Sequence, residues 1–164
     1  IAPGLSPTFP SEDWPNIPKK LWEETKQQAR ESARFDHELQ IIGNDIDPRV
    51  LKIARRNADA AGLSELIHFQ ASPLKDLSSK RKYGKIICNP PYGERMGDQK
   101  EVAQLYREMG RVFGKLDTWS FYVLTSHPDF EQLFSRSATK KRKLYNGNIK
   151  VDFYQYYGPR PPRK

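Results

Sequence analysis

The sequence predicts an α/β domain whose sheet is mostly parallel and carries an antiparallel edge. Two observations lead there. From residue 39 to residue 125, apolar β-branched runs alternate with stretches of helical periodicity, the order that builds parallel strands joined by helices. The chain then closes on Asn146-Gly147 between two extended stretches, 138–145 and 148–156, the strongest short hairpin signal. A length of 164 residues suits one domain with a sizeable core.

Residues 1–18 carry Pro3, Gly4, Pro7, Pro10, Pro15 and Pro18, a density that forbids helix interior or central strand and marks an irregular lead-in. From Lys19 to about Phe35, Leu21, Trp22, Thr25, Ala29 and Ala33 recur at helical spacing among charges, so an amphipathic helix follows. Residues 39–46 are apolar and β-branched enough for a buried strand. Asp47-Pro48 reads as an N-cap followed by proline at the first helical position, with Val50, Leu51, Ile53, Ala54, Ala58 and Ala61 continuing the helix and Gly62 ending it.

Short strands are expected over 65–71, around Ile67 and Phe69, and over 84–89, through Ile86, Ile87 and Cys88, with a basic loop 78–83 between them. A helix over 99–116 turns Val102, Leu105, Tyr106, Met109, Val112 and Phe113 inward. A strand over 119–125, a short helix over Asp129–Ser135 and the terminal hairpin complete the order. Residues 158–164 form a basic, Pro-rich and flexible tail.

Hydrophobic residues at 37% and aromatics at 12% supply a core, which argues against disorder throughout. No apolar run approaches the ~20 residues that span a bilayer, and the first residues lack a secretory pattern, so a cytoplasmic location without a membrane partner is expected. The net charge of +8 favours an anionic partner, of which nucleic acid is the commonest, although an excess of lysine and arginine also serves solubility. One cysteine, Cys88, excludes an internal disulfide and a multi-cysteine zinc site, and His37, His68 and His127 are too scattered to suggest a metal.

Ile87-Cys88-Asn89-Pro90-Pro91-Tyr92-Gly93 puts an amide, two prolines and an aromatic ring at the C-terminal end of a buried strand, where open α/β sheets bind ligands. An aromatic exocyclic amine is a weak nucleophile because its lone pair is delocalised. Two acceptors that hold its hydrogens draw the nitrogen toward tetrahedral geometry. The Asn89 side-chain oxygen and the Pro90 carbonyl can be those acceptors, and Tyr92 offers a flat face on which a base can stack. The same residues also make an ordinary strand-ending turn.

Asp45, at the end of the preceding strand pattern, can accept both hydroxyls of a ribose, with Ile46 against an adenine ring and Asp47 as the helix cap. A solvated loop acid is the plainer reading of Asp45. Lys140, Lys141, Arg142 and Lys143, with Arg136 nearby, have the density that phosphate binding needs, but lysines also protect edge strands from aggregation. Cys88 reads as core. Methylation of a cytosine carbon would instead require it as a nucleophile.

Asp45-Ile46-Asp47-Pro48, a helix ending Ala54-Arg55-Arg56-Asn57-Ala58, and Asn89-Pro90-Pro91-Tyr92 together resemble the amino-group methyltransferases of the Rossmann-like class. Ile1-Ala2-Pro3-Gly4, Glu12-Asp13-Trp14, Asn89-Pro90-Pro91-Tyr92-Gly93-Glu94-Arg95 and Thr139-Lys140-Lys141-Arg142-Lys143-Leu144-Tyr145-Asn146-Gly147 resemble one bacterial subgroup. This is the THUMP-associated family, often carrying the provisional label N6-adenine DNA methylase, whose better-understood members are 23S rRNA guanine-N2 methyltransferases.

The resemblance implies an S-adenosyl-L-methionine cofactor, ribosomal RNA as partner and N2 of guanine as target, with no metal. Asn89, Pro90 and Tyr92 would be catalytic, and Asp45, Ile46 and Asn89 would hold the cofactor. N6 of adenine in DNA is the runner-up target, and a nucleic-acid-binding fragment without catalysis is a further alternative.

Family members carry, upstream of where this chain begins, a THUMP domain and a strand with an Asp-Pro-x-Cys-Gly-Ser-Gly-like loop. Residues 19–157 therefore read as a partial methyltransferase domain without its first strand, inactive alone, in which the strands ending at Asp45 and Asn89 are not paired with each other. In Ala71-Ser72-Pro73-Leu74-Lys75-Asp76, many relatives place an acid that accepts from the cofactor's adenine amine. Ser72 or Pro73 stands there, and Asp76 is a weak substitute.

Overall fold

Strands and helices alternate from Ile41 to Phe134 as the sequence predicts, in a computed structural model that describes residues 5, 7–34, 40–93 and 99–162, with Asn146 described by its backbone alone. Ile1–Gly4, Phe35, His37, Leu39, Glu94-Arg95 and Arg163-Lys164, all named above, lie outside the described residues. The chain forms two compact units, Ile1–Ala71 and Ser72–Lys164.

In the first unit, one 3-10 turn at Pro10–Asp13 interrupts the irregular lead-in, and helix α1 spans Lys19–Glu31. Phe9 stacks on Trp22 with centroids 5.9 Å apart, and Lys26 pairs with Glu12 at 2.7 Å, so the lead-in is anchored to α1. The covered face of the helical segment is Trp22, Lys26, Ala29 and Ala33, whereas Leu21 and Thr25, expected inward, are exposed. A stripe stepping by four, three and four from Trp22 is narrower than the one expected, and the Lys26 stem joins it because its ammonium has an acid to meet.

Strands β1 (Ile41–Asp45) and β2 (Ile67–Ala71) pair in parallel as a two-stranded sheet, joined through α2 (Pro48–Ala60). Asp47 caps α2 by accepting from the Arg49 N–H at 2.8 Å, and Pro48 takes the first helical position. The helix stops at Gly62, whose N–H bonds Asp59 O while Leu63 N bonds Ala58 O, both at 2.8 Å.

Leu51 and Ala58 are buried, while Val50 and Ile53 are exposed. The expectation of a buried strand over 39–46 also fails, since Ile41 is 45% and Ile42 63% exposed. The reason is topological. Each strand of a two-stranded sheet keeps an unpaired edge, and one helix covers one face only.

In the second unit, β3 (Lys85–Cys88), β4 (Ser120–Thr125), β5 (Lys140–Asn146) and β6 (Ile149–Tyr156) form a sheet of order β3-β4-β6-β5. The β3–β4 pair is parallel and the other two pairs are antiparallel, so this sheet is mixed rather than mostly parallel and ends in the expected antiparallel hairpin. As expected, the strands ending at Asp45 and before Asn89 are not paired, since β1 and β3 belong to different sheets. Asn146 pairs with Ile149, so the hairpin turn is Gly147-Asn148, one residue later than the Asn146-Gly147 expected, because Gly147 at φ +60° supplies the left-handed corner.

Helices α3 (Gln99–Phe113) and α4 (Phe130–Phe134) cover one face of this sheet. The 3.6-residue period of α3 buries Val102, Tyr106, Met109, Val112 and Phe113, of which the valines, Met109 and Phe113 each contribute about 1.5–3 kcal/mol over the exposed state. Aromatic rings join helix to sheet. Phe113 stacks on Phe121 at 4.9 Å, Phe134 tilts on Tyr156 at 4.8 Å and Phe130 tilts on Tyr154 at 4.7 Å. Ile86 and Cys88 of β3 pack against this core, whereas Ile87 is 76% exposed. The buried strand expected over 84–89 is therefore an edge strand, buried on one face. The tail begins tied down, with Gly158 N donating to Ser120 Oγ at 3.0 Å.

Candidate active site

In the first unit, β1 delivers Asp45 half-buried at its C-terminal end. Its Oδ1 accepts the Asp47 N–H at 2.8 Å, which fixes the carboxylate within its own turn. The carboxylate makes no other bond among the described residues, so it can accept the hydroxyls of a diol. Ile46 follows at 73% exposure, an apolar surface suited to a flat ring. An acid and an apolar side chain in succession fit the nucleoside end of S-adenosylmethionine.

Asp47 is committed elsewhere. The Arg49 side chain grips both its oxygens, with Nε 3.0 and 3.1 Å away and Nη2 2.7 Å away. The Arg49 side chain, then the Arg49 N–H, hold the Asp47 carboxyl below its ordinary value. A depressed carboxylate contributes stability above its unfolded pKa and loses it as pH falls through the folded one. Asp47→Asn keeps a capping oxygen and loses the ion pair. Urea titrations are expected to find the variant less stable at neutral pH, with the difference vanishing below the normal carboxylate range.

In the second unit, the chain leaves β3 at Cys88 and runs through Asn89-Pro90-Pro91-Tyr92 with every peptide bond trans. Asn89 is exposed, and the Tyr92 hydroxyl donates to its Oδ1 at 2.6 Å. An amide oxygen has two lone pairs, so this bond orients the amide and leaves one acceptor site open. Pro91, on the outer side of the turn, has its carbonyl bonded by the buried Tyr106 hydroxyl at 2.8 Å. Sequence periodicity marks Tyr106 only as an inward position. Its contact with Pro91 had no short-range signal.

Burial pushes the Cys88 thiol up to about 12. A thiol held protonated is no nucleophile, so the reading of Cys88 as core stands. Asp76 lies exposed at the end of a 3-10 turn, Leu74–Asp76, and its carboxylate makes no bond among the described residues. Among the described residues no group of three or more acidic, histidine or cysteine side chains could hold a metal, and no helix is long and apolar enough to cross a membrane.

Lys140, Lys141, Arg142 and Lys143 all lie on β5, the outer strand of the sheet, and all are exposed. The pleat divides them: Lys140 and Arg142 stand opposite Gln155 and Phe153, and Lys141 and Lys143 opposite Tyr154 and Asp152. Lys141 is engaged with Asp152 at 3.4 Å and lies over the Tyr154 ring at 4.9 Å. Among the described residues the other three make no ion pair, so the cluster offers three available charges on two faces.

Residues 10–155 match the family model described as RMKL-like, methyltransferase domain. YpsC of Bacillus subtilis (strain 168), provisionally named an RNA methyltransferase, is 50% identical over 165 residues, covering 100% of this chain and 43% of its own length. The ribosomal RNA large subunit methyltransferase K/L of Shewanella frigidimarina (strain NCIMB 400) is 35% identical over 161 residues, covering 95% of this chain and 23% of its own. Among solved structures, SMU.472, provisionally named a methyltransferase and crystallised with SAH, matches with a TM-score of 0.89 at 46% identity, over 99% of this chain and 43% of that one. The chain thus spans less than half the length of these relatives.

Proposed function

Because the chain belongs to the RMKL-like methyltransferase domain family, we propose that it is part of an S-adenosylmethionine-dependent enzyme that methylates an exocyclic amine of a base in ribosomal RNA, with N2 of guanine as the target. The observation that carries the reading is the exposed Asn89 amide at the C-terminal end of β3, oriented by Tyr92 and followed by two trans prolines. The cofactor supplies an electrophilic methyl group.

Asn89 Oδ1 and the Pro90 carbonyl accept the two amine hydrogens and leave the nitrogen lone pair free to attack. Tyr92 stacks on the base, a contact of about 1–3 kcal/mol. Asp45 accepts the cofactor's ribose hydroxyls and Ile46 packs on its adenine. The transfer is direct, with no covalent enzyme intermediate.

Lys140, Arg142 and Lys143 bind RNA phosphates. Replacing these three by alanine is expected to weaken RNA binding and to flatten the slope of log affinity against log salt by roughly 2 to 3, at about 0.7–0.9 per phosphate contact. Lys141→Ala, already held by Asp152, is expected to leave that slope nearly unchanged. Filter binding across a salt series makes the comparison. The activity itself is tested by mass spectrometry of nucleosides from a deletion strain. Loss of one ribosomal N2-methylguanine is expected; loss of N6-methyladenine from DNA with every ribosomal N2-methylguanine intact would overturn the reading.

A further inference from the structure

Tyr106 is wholly buried in the middle of α3, yet its hydroxyl has two partners outside that helix. One is the Pro91 carbonyl at 2.8 Å, the other Thr125 Oγ1 at 2.7 Å. A carbonyl can only accept, so the single Tyr106 hydroxyl hydrogen goes to Pro91. The Thr125 hydroxyl must then donate to Tyr106. Thr125, itself fully buried at the end of β4, accepts in turn from the His127 N–H at 3.1 Å. Three bonds therefore run one way, from the His127 backbone through Thr125 and Tyr106 to the turn that follows Asn89.

We propose that Tyr106 is a positioning residue for methyl transfer, fixing the Pro90 carbonyl through its bond to Pro91, with Thr125 fixing Tyr106. This rests on the reading of Asn89 and Pro90 as the pair that holds the target amine. The proline ring sets φ of Pro91, and the bond to its carbonyl sets ψ. With both dihedrals fixed and the Pro90–Pro91 peptide planar and trans, the Pro90 carbonyl has one direction relative to α3.

The Tyr106 ring is held independently, edge-on to Phe130 at 4.9 Å and to His127 at 5.5 Å. Removing only the hydroxyl should therefore leave the ring in place and free the turn. Burial keeps the phenol above its ordinary pKa, so it stays a donor at physiological pH.

The test is steady-state transfer from tritiated S-adenosylmethionine to unmodified ribosomal RNA of the deletion strain, using the intact protein. Tyr106→Phe is expected to lower kcat by about tenfold or more, with both KM values within about twofold, because a misplaced acceptor acts on the reacting geometry. Thr125→Val should lower kcat in the same way, Thr125→Ser should restore it, and the Tyr106→Phe/Thr125→Val double variant should be no worse than the poorer single one. In parallel, the 13C resonance of the Pro91 carbonyl should move in Tyr106→Phe and stay in place in Thr125→Ser.

An active parent with an equally active Tyr106→Phe variant, whatever its stability, would overturn the inference alone. So would an unmoved Pro91 resonance. A parent protein that methylates neither RNA nor DNA would remove the activity reading and this inference together.

Discussion

Replacing Asn89 by alanine is expected to slow methyl transfer by the intact protein roughly a hundredfold, equivalent to losing about 3 kcal/mol of transition-state stabilisation by analogy with an oxyanion-hole donor. The side chain is exposed, and its one bond among the described residues is to the neighbouring Tyr92, so its removal should not disturb folding. Cofactor affinity should change little if, as proposed, Asp45 and Ile46 take the nucleoside. The signature is a fall in kcat with equilibrium cofactor binding and the urea midpoint nearly unchanged. Near-normal turnover would remove Asn89 from the chemistry and return Asn-Pro-Pro-Tyr to the status of a turn.

The complementary result is expected at Phe130. Its ring is fully buried, edge-on to Tyr106 at 4.9 Å, stacked on Phe134 at 5.2 Å and tilted on Tyr154 at 4.7 Å. Phe130→Ala removes a hub that joins α3, α4 and β6, and such cavities cost about 3–5 kcal/mol. Against a total stability of roughly 5–15 kcal/mol, this is a large share. Urea denaturation should show a lower midpoint at unchanged slope. A loss of less than about 1 kcal/mol would mean that the helix-to-sheet core is not cemented by these rings.

The fold is that of S-adenosylmethionine-dependent methyltransferases, and much of it was legible because the signals are short-range. The Asp47-Pro48 cap, the Gly62 stop and the terminal hairpin with Gly147 at its corner each depend on residues within a few positions of one another. Burial of β1 and β3 was misjudged because it depends on neighbours in the sheet, which no window of sequence contains. Ile42 and Ile87 look like core residues along the chain and are exposed because their strands stand at sheet edges.

The basic cluster shows a different failure. Its division by the pleat follows from the two-residue period and was available from the sequence, whereas the capture of Lys141 by Asp152 required the strand register. At the candidate site, the placing of Asn89, Pro90 and Tyr92 directly after a strand was readable from the sequence. Tyr106 was not. It sits 15 residues from Pro91 and 19 from Thr125, and only the polar atom of an otherwise ordinary core side chain distinguishes it.

Cys88 gives the protein a built-in clock. It is the only cysteine in the sequence and immediately precedes Asn89 on an edge strand. Burial pushes its thiol up to about 12, so at neutral pH very little of it is the reactive thiolate while the strand is closed. A maleimide pulse should therefore leave the closed protein almost unlabelled and mark each molecule whose β3 has come away. The labelling rate, followed by intact mass under native conditions, reports how often the strand that leads into Asn89 opens, without a substrate.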